Sequence, residues 1–223
     1  MIMKLLAILM LLTASSISLQ RSQGNRATPV QERKELHLDI PRDDWEPIFF
    51  EEINERARLS NLKTLREGPL PDGDFEVRIW HGFGRTALEG FVLKRTGDQW
   101  SAMHLDGIYS SLPRNRYDRI LRTPKSGWEK CWQRLEKTGI LTLPDASAIG
   151  CDTSVMDGMS YVVEFNRVGI YRTYLYDNPS YAKCHEAKQM IKIANIISKE
   201  FGVPEMVRWN NCSGQIFVER KRI

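Results

Sequence analysis

From Phe75 to Trp80 apolar and polar positions alternate, with Phe75, Val77 and Ile79 set against Glu76, Arg78 and Trp80. A period of two is the pattern of a half-buried strand. The next stretch, LEGFVLKRTGDQWSAMHL, reads as two strands around Gly97-Asp98, a two-residue turn with glycine first. Closing that turn places Arg95 opposite Trp100, Leu93 opposite Ala102 and Phe91 opposite His104. A second hairpin is predicted in SYVVEFNRVGIYRTYLY, where a three-residue loop Arg167-Val168-Gly169 gives glycine the position of positive φ. That register pairs Phe165 with Tyr171, Glu164 with Arg172, Val163 with Thr173 and Tyr161 with Leu175.

Elsewhere the apolar period lengthens to that of a helix. Phe49, Phe50, Ile53 and Ala57 predict a helix over 46–59, with Asp43 or Asp44 as cap and Pro47 in the first turn. Trp128, Cys131, Trp132 and Leu135 predict a second, stopped at Gly139. A third is predicted over 179–201, capped by Asn178 and opened by Pro179, with Cys184, Ala187, Ile191, Ala194, Ile197 and Phe201 as its buried stripe. The tail GQIFVERKRI reads as a last edge strand. Hairpins interrupted by amphipathic helices argue for an α+β fold, an antiparallel sheet with two or three helices packed mainly on one face. A parallel sheet is disfavoured, because neither hairpin contains the crossover that a parallel pair requires.

The N-terminus follows another pattern. Lys4, an apolar run from Leu5 to Leu12 and small residues through Ser18 have the three parts of a secretory leader, with cleavage after Ser16 or Ser18. The run is far short of the roughly 20 apolar residues of a membrane span, so export is expected without stable membrane insertion once the leader is removed. Losing residues 1–18 takes away only Lys4, and 32 basic residues become 31 against 28 acidic, a net charge of +3 that selects no partner class. Residues 19–40 read as a flexible lead-in and 41–223 as one α+β domain. The basic residues Arg114, Arg116, Arg119, Arg122 and Lys125 surround only Asp118. In an exported chain they read as a solvated or acid-paired loop, with no nucleic acid as partner.

Secretion and four cysteines favour a disulfide. Cys184 faces the core from the third helix and Cys151 lies in the loop leading to the second hairpin, so Cys151–Cys184 is the expected bridge; Cys131 and Cys212 form a second bridge or stay unpaired. On a helix Cys184 and His185 diverge by roughly 100°, which excludes a thiol–imidazole dyad between them. Ligand spacings for a metal are missing, and no cofactor motif, Gly-x-Ser-x-Gly elbow or HExxH occurs, so neither metal nor cofactor is expected. The Asp-Gly pairs at 72–73, 106–107 and 157–158 are turn chemistry.

What stands out is the supposed outer face of the sheet. Arg78 and Trp80 point away from the Phe75 row, and Arg172, Tyr174 and Tyr176 away from Tyr171, Thr173 and Leu175. Arginine with aromatics gives large contact area at modest ordering cost, as an interface requires. The reading is therefore an exported, non-catalytic module that binds a protein or small ligand through Arg78, Trp80, Arg172, Tyr174 and Tyr176. The alternative is an exported hydrolase-type enzyme whose site converges from the fold, with His81 and His104 beside an acid as its sign.

Overall fold

The computed structural model describes residues 35–42, 45, 49–83, 88–108, 118–151, 153, 159–204 and 206. The leader, the capping residues Asp43 and Asp44, Pro47, the arginines Arg114 and Arg116, Cys212 and the tail 214–223 lie outside them. The chain from Lys34 onward forms one compact unit. Its fold is α+β, and the described residues form seven strands in one sheet of order β1-β7-β6-β2-β3-β4-β5. The strands are β1 (His37–Asp39), β2 (Phe75–His81), β3 (Leu88–Thr96), β4 (Gln99–Ile108), β5 (Arg119–Ile120), β6 (Ser160–Arg167) and β7 (Ile170–Asp177). The helices are α1 (Glu51–Leu59), α2 (Trp128–Thr138) and α3 (His185–Phe201). Among the described residues no helix is long and apolar enough to cross a membrane.

Strand alternation builds two cores from one sheet. On one side Phe75, Val77, Ile79, Phe91, Leu93 and Val163 pack under α2 and α3, with Trp132, Leu135, Ala187, Met190 and Ile197 as the helical side. On the other, Trp80, Val92, Leu105, Val162 and Leu175 pack under α1 with Trp45, Phe50, Ile53 and Ala57. Two helices thus share a face and the third covers the reverse. Gly90 is what admits Trp80, since a Cβ there would lie 2.8 Å from its ring.

The β3–β4 hairpin has the predicted register: Arg95 faces Trp100, Leu93 faces Ala102 and Phe91 faces His104. The second hairpin is shifted by one residue. Its loop is Val168-Gly169 alone, with φ of 52° and 74°, and Glu164 faces Thr173 while Phe165 faces Arg172. Two successive positive φ values match the right-handed strand twist, so the two-residue turn wins although its first residue is a β-branched valine.

Three other expectations are corrected. The sheet is mixed, because β1 runs parallel to β7 and His37 N donates to Gly169 O at 2.8 Å, so part of the supposed lead-in belongs to the fold. All three β1 residues are exposed. Backbone pairing at an edge leaves no apolar pattern to read. The third helix starts at His185, capped by Cys184 Sγ, which accepts from Ala187 N at 3.3 Å. Asn178 instead takes φ 45° and its Oδ1 accepts from Met159 N. The buried stripe also differs, comprising Ala187, Met190, Ile193, Ala194, Ile196, Ile197 and Glu200 and leaving Ile191 half-buried, because the face that meets the sheet and α2 sets it. The regular α-helical part of the first helix is Glu51–Leu59, preceded by a π-helical turn at Phe49 and Phe50, while residues 46–48 of the expected span lie outside the described residues.

Cys151 and Cys184 are bridged, their Cα atoms 6.0 Å apart and 33 residues separated in sequence. Closing a loop of that length contributes about 3 to 4 kcal/mol in the chain-entropy account. Cys131 is buried and unbridged. Burial first, then the charge of Glu200, pushes its thiol up to about 12, against the opposing pull of Arg134, so it packs as a neutral core residue.

Candidate functional site

The five residues of the expected interface do not make one surface. Cross-strand partners share a face, and Arg78 faces Glu164, which faces Thr173; Trp80 faces Val162, which faces Leu175. Arg78 and Trp80 therefore lie on the α1 side, and Arg172, Tyr174 and Tyr176 on the opposite one. None of the aromatics is open. Trp80 and Tyr174 are 0% exposed, and Tyr176 is as deeply buried.

Their polar tips are taken up by the chain itself. Tyr174 Oη donates to Ile140 O and Tyr176 Oη to Pro144 O, each at 2.8 Å. Burial pushes both phenols up, so they remain neutral donors. Arg172 donates to Leu141 O at 3.0 Å and Leu143 O at 2.8 Å while its Nε meets Asp39 at 2.9 Å. These three residues latch the segment after α2 onto β7 and join it to β1. Alternation identified the inward and outward sets of each strand, but not the elements that cover them.

Arg78 is different, because it floors a cleft. The α1 core covers only part of its sheet face, and the loop 61–71 covers the part where Glu76, Arg78, Glu164 and Asn166 stand. That loop is tied down by buried donors: Arg78 Nη2 to Lys63 O at 2.8 Å, and Asn166 Nδ2 to Leu65 O and Gly68 O, both at 2.8 Å. Between loop and strands is a cleft of about 590 Å³, with Glu76, Arg78 and Lys94 on its sheet side. Arg78 Nε and Nη2 hold Glu76 Oε1 at 2.7 and 2.6 Å, and Lys94 Nζ lies 3.9 Å from Glu76 Oε2. Arg78 is 2% exposed, yet its Nη1 has no hydrogen-bond partner among the described residues. A buried guanidinium nitrogen without a partner carries a desolvation cost that an arriving acceptor would remove.

Behind it lies Glu164, accepting from Trp80 Nε1 at 2.9 Å. Burial pushes this carboxyl above its ordinary 4.5, against the pull of Arg78 and of the Trp80 bond; Glu76 adds to the rise and Arg66 opposes it. Burial together with the Glu164 charge also raises the neighbouring Tyr171 phenol.

The two strand-end histidines do meet an acid. His81 Nε2 is 3.4 Å and His104 Nε2 3.7 Å from Glu89 Oε2, and Arg119 Nη2 lies 3.3 Å from His104 Nδ1. They meet through β3, which separates β2 from β4, and not by direct pairing of their strands. Both imidazoles are 1% exposed, and the His81 ring stacks on Tyr161. Among the described residues no group of three or more His, Cys, Asp or Glu is placed to hold a metal ion.

Sequence reasoning singled out Arg78 but missed Glu76, Lys94, Asn166 and the loop that makes a cleft of them. The available signal was the run of Glu76 and Arg78 on one side of a strand otherwise destined for burial. No family model matches the chain, and neither a curated protein nor a solved structure is similar to it.

Proposed function

We propose that the protein is an exported, non-catalytic binding module that holds a small anionic ligand in the cleft floored by Arg78. The observation that carries this reading is a cavity of about 590 Å³ lined by both Arg78 and Lys94, together with a buried Arg78 Nη1 that has no hydrogen-bond partner among the described residues. Ligand sites are typically clefts of about 300–1,000 Å³ with a few convergent polar groups. Export is supported by the leader pattern, and the Cys151–Cys184 bridge is compatible with an oxidising compartment.

Thermal unfolding in the presence of small anions tests it. Ligand binding stabilises by about 2.7 kcal/mol at a hundredfold excess over Kd. A series of carboxylates and inorganic oxyanions should include members that raise the melting temperature of the parent protein and do so at least tenfold less potently for Lys94→Met. If none of the series shifts the parent protein, the cleft is no anion site.

The hydrolase-type alternative has one observation in its favour, the grouping of His81, Glu89 and His104. Their burial argues for a brace between strand ends, since a general base must reach a proton on its substrate. Glu76, the acid on the sheet side of the cleft, is held by Arg78 and Lys94. Ester or amide hydrolysis that disappears in His104→Gln, with folding intact, would favour the enzyme.

A further inference from the structure

Independently of the cleft, we infer that β1 is an interface between two copies of this chain, which pair antiparallel through it about a two-fold axis at Leu38. β1 is the outer strand of the sheet, with β7 on one side and no strand among the described residues on the other. Along an extended strand the main-chain groups of successive residues point to alternate sides. His37 N donates to Gly169 O at 2.8 Å, so His37 and Asp39 turn their main chain toward β7. Leu36, Leu38 and Ile40 therefore turn theirs outward. A row of outward N–H and C=O groups is a template for another strand.

The side chains add to this. Leu38 stands opposite Tyr171, and cross-strand partners share a face, so Leu36, Leu38 and Ile40 form one apolar row on the α1 side. Leu36 and Ile40 pack against the α1 core, whereas Leu38 is left 47% exposed. His37 and Asp39 lie on the other side and are exposed too. Asp39 is already positioned there, since its Oδ2 meets Arg172 Nε at 2.9 Å.

The partner is specified because the segment LHLDI is complementary to its own reverse. Antiparallel pairing about Leu38 sets Leu38 against Leu38, Leu36 against Ile40, and His37 against Asp39 of the second copy. An imidazole N–H then meets a carboxylate on each side of the axis. Leu36, Leu38 and Ile40 all fall on hydrogen-bonded positions, where each residue exchanges both main-chain bonds with its partner. The other pairings are poorer. Parallel pairing in register sets Asp39 against Asp39, and slipping the antiparallel pair by two residues sets Asp39 against either Glu35 or Asp39. A slip of one residue opposes an outward main chain with an inward one. Pro41, which has no N–H, ends the ladder. So short a ladder fits a reversible, concentration-dependent dimer and not an obligate one.

Sedimentation velocity on the purified protein at neutral pH, over about a hundredfold range of concentration, tests the interface, with melting temperatures as the control for folding. The parent protein should pass from monomer to dimer as concentration rises. His37→Asp places two carboxylates face to face and should weaken the dimer at least tenfold. His37→Lys places an ammonium against Asp39 and should keep or tighten it. Leu38→Pro removes an outward N–H at the axis and none that serves β7, and should weaken the dimer at least tenfold. A monomer at every concentration would overturn the inference, as would a dimer indifferent to His37→Asp or to Leu38→Pro in a variant that melts like the parent. Loss of the dimer in His37→Lys as well as in His37→Asp would overturn it too, since like residues would then be meeting in a parallel pair. None of these results bears on the anion-binding reading.

Discussion

Glu164 shows how a single residue reports on the polar half of the sheet. It stands on β6 opposite Arg78, accepts from Trp80 and is 2% exposed, and its carboxyl is raised from 4.5 by burial before any charge acts on it. Facing it are Arg78, Glu76 and Trp80 from β2, Arg66 from the loop, and Tyr171 and Thr173 from β7. A carboxyl whose folded pKa lies above its unfolded value binds more protons when folded. Its stabilising contribution is fully present below the unfolded value and is lost as pH rises through the folded one. Gln in its place mimics the protonated acid, and its carbonyl can still accept from Trp80. Glu164→Gln should therefore match the parent protein in urea unfolding at pH below 4.5 and exceed it in stability above that window. Parallel stability profiles for the two proteins across this range would show that Glu164 does not titrate differently on folding.

At the scale of elements, the second hairpin decides where side chains go. A one-residue slip in register moves every side chain of a strand to the other face relative to its partner. With a three-residue loop, Arg172 would have shared a face with Glu164, and so with Arg78; with Val168-Gly169 it lies behind them. The fold class and the first hairpin were legible because Gly97-Asp98 and the Phe91-Leu93 row agree on one register. The second was misread because valine at positive φ is disfavoured, and only the twist of the finished sheet compensates for it. The cleft was not legible because its wall, 61–71, has no periodicity and its tether, Asn166, acts through loop carbonyls about a hundred residues away. The turn yields a test. Val168 is 63% exposed, so Val168→Asn gives up little burial and replaces a strained residue with one that accepts positive φ. The substitution should raise stability by about 1 kcal/mol in chemical denaturation. An unchanged or lowered midpoint would mean that the turn opens in solution.

For the molecule as a whole, the sheet divides two apolar cores, and the cleft belongs fully to neither. The α2 and α3 core is closed by helices and by the Cys151–Cys184 bridge. The α1 core ends where the floor turns polar; among the described residues the loop 61–71 joins that core only through Leu65, Leu62 and the Arg66–Phe50 contact, and Arg78 and Asn166 hydrogen-bond it to the sheet. Opening free energies differ across a protein according to how much apolar contact each part makes. The loop should therefore open far more readily than α3, and ligand binding should protect the loop selectively. Asn166 is the residue that separates the two levels, because it is 0% exposed but its amide donates only to the loop. Asn166→Ala leaves the buried Leu65 carbonyl and the half-buried Gly68 carbonyl without that donor, at a cost of about 1 to 3 kcal/mol for the buried one and less for the other. Hydrogen exchange on this variant should show faster exchange confined to 61–71, α3 protection falling only in line with the global stability, and weaker anion binding than in the parent protein. Exchange accelerated equally in loop and α3 would show that loop and core open as one unit, and that the cleft is a rigid part of the core.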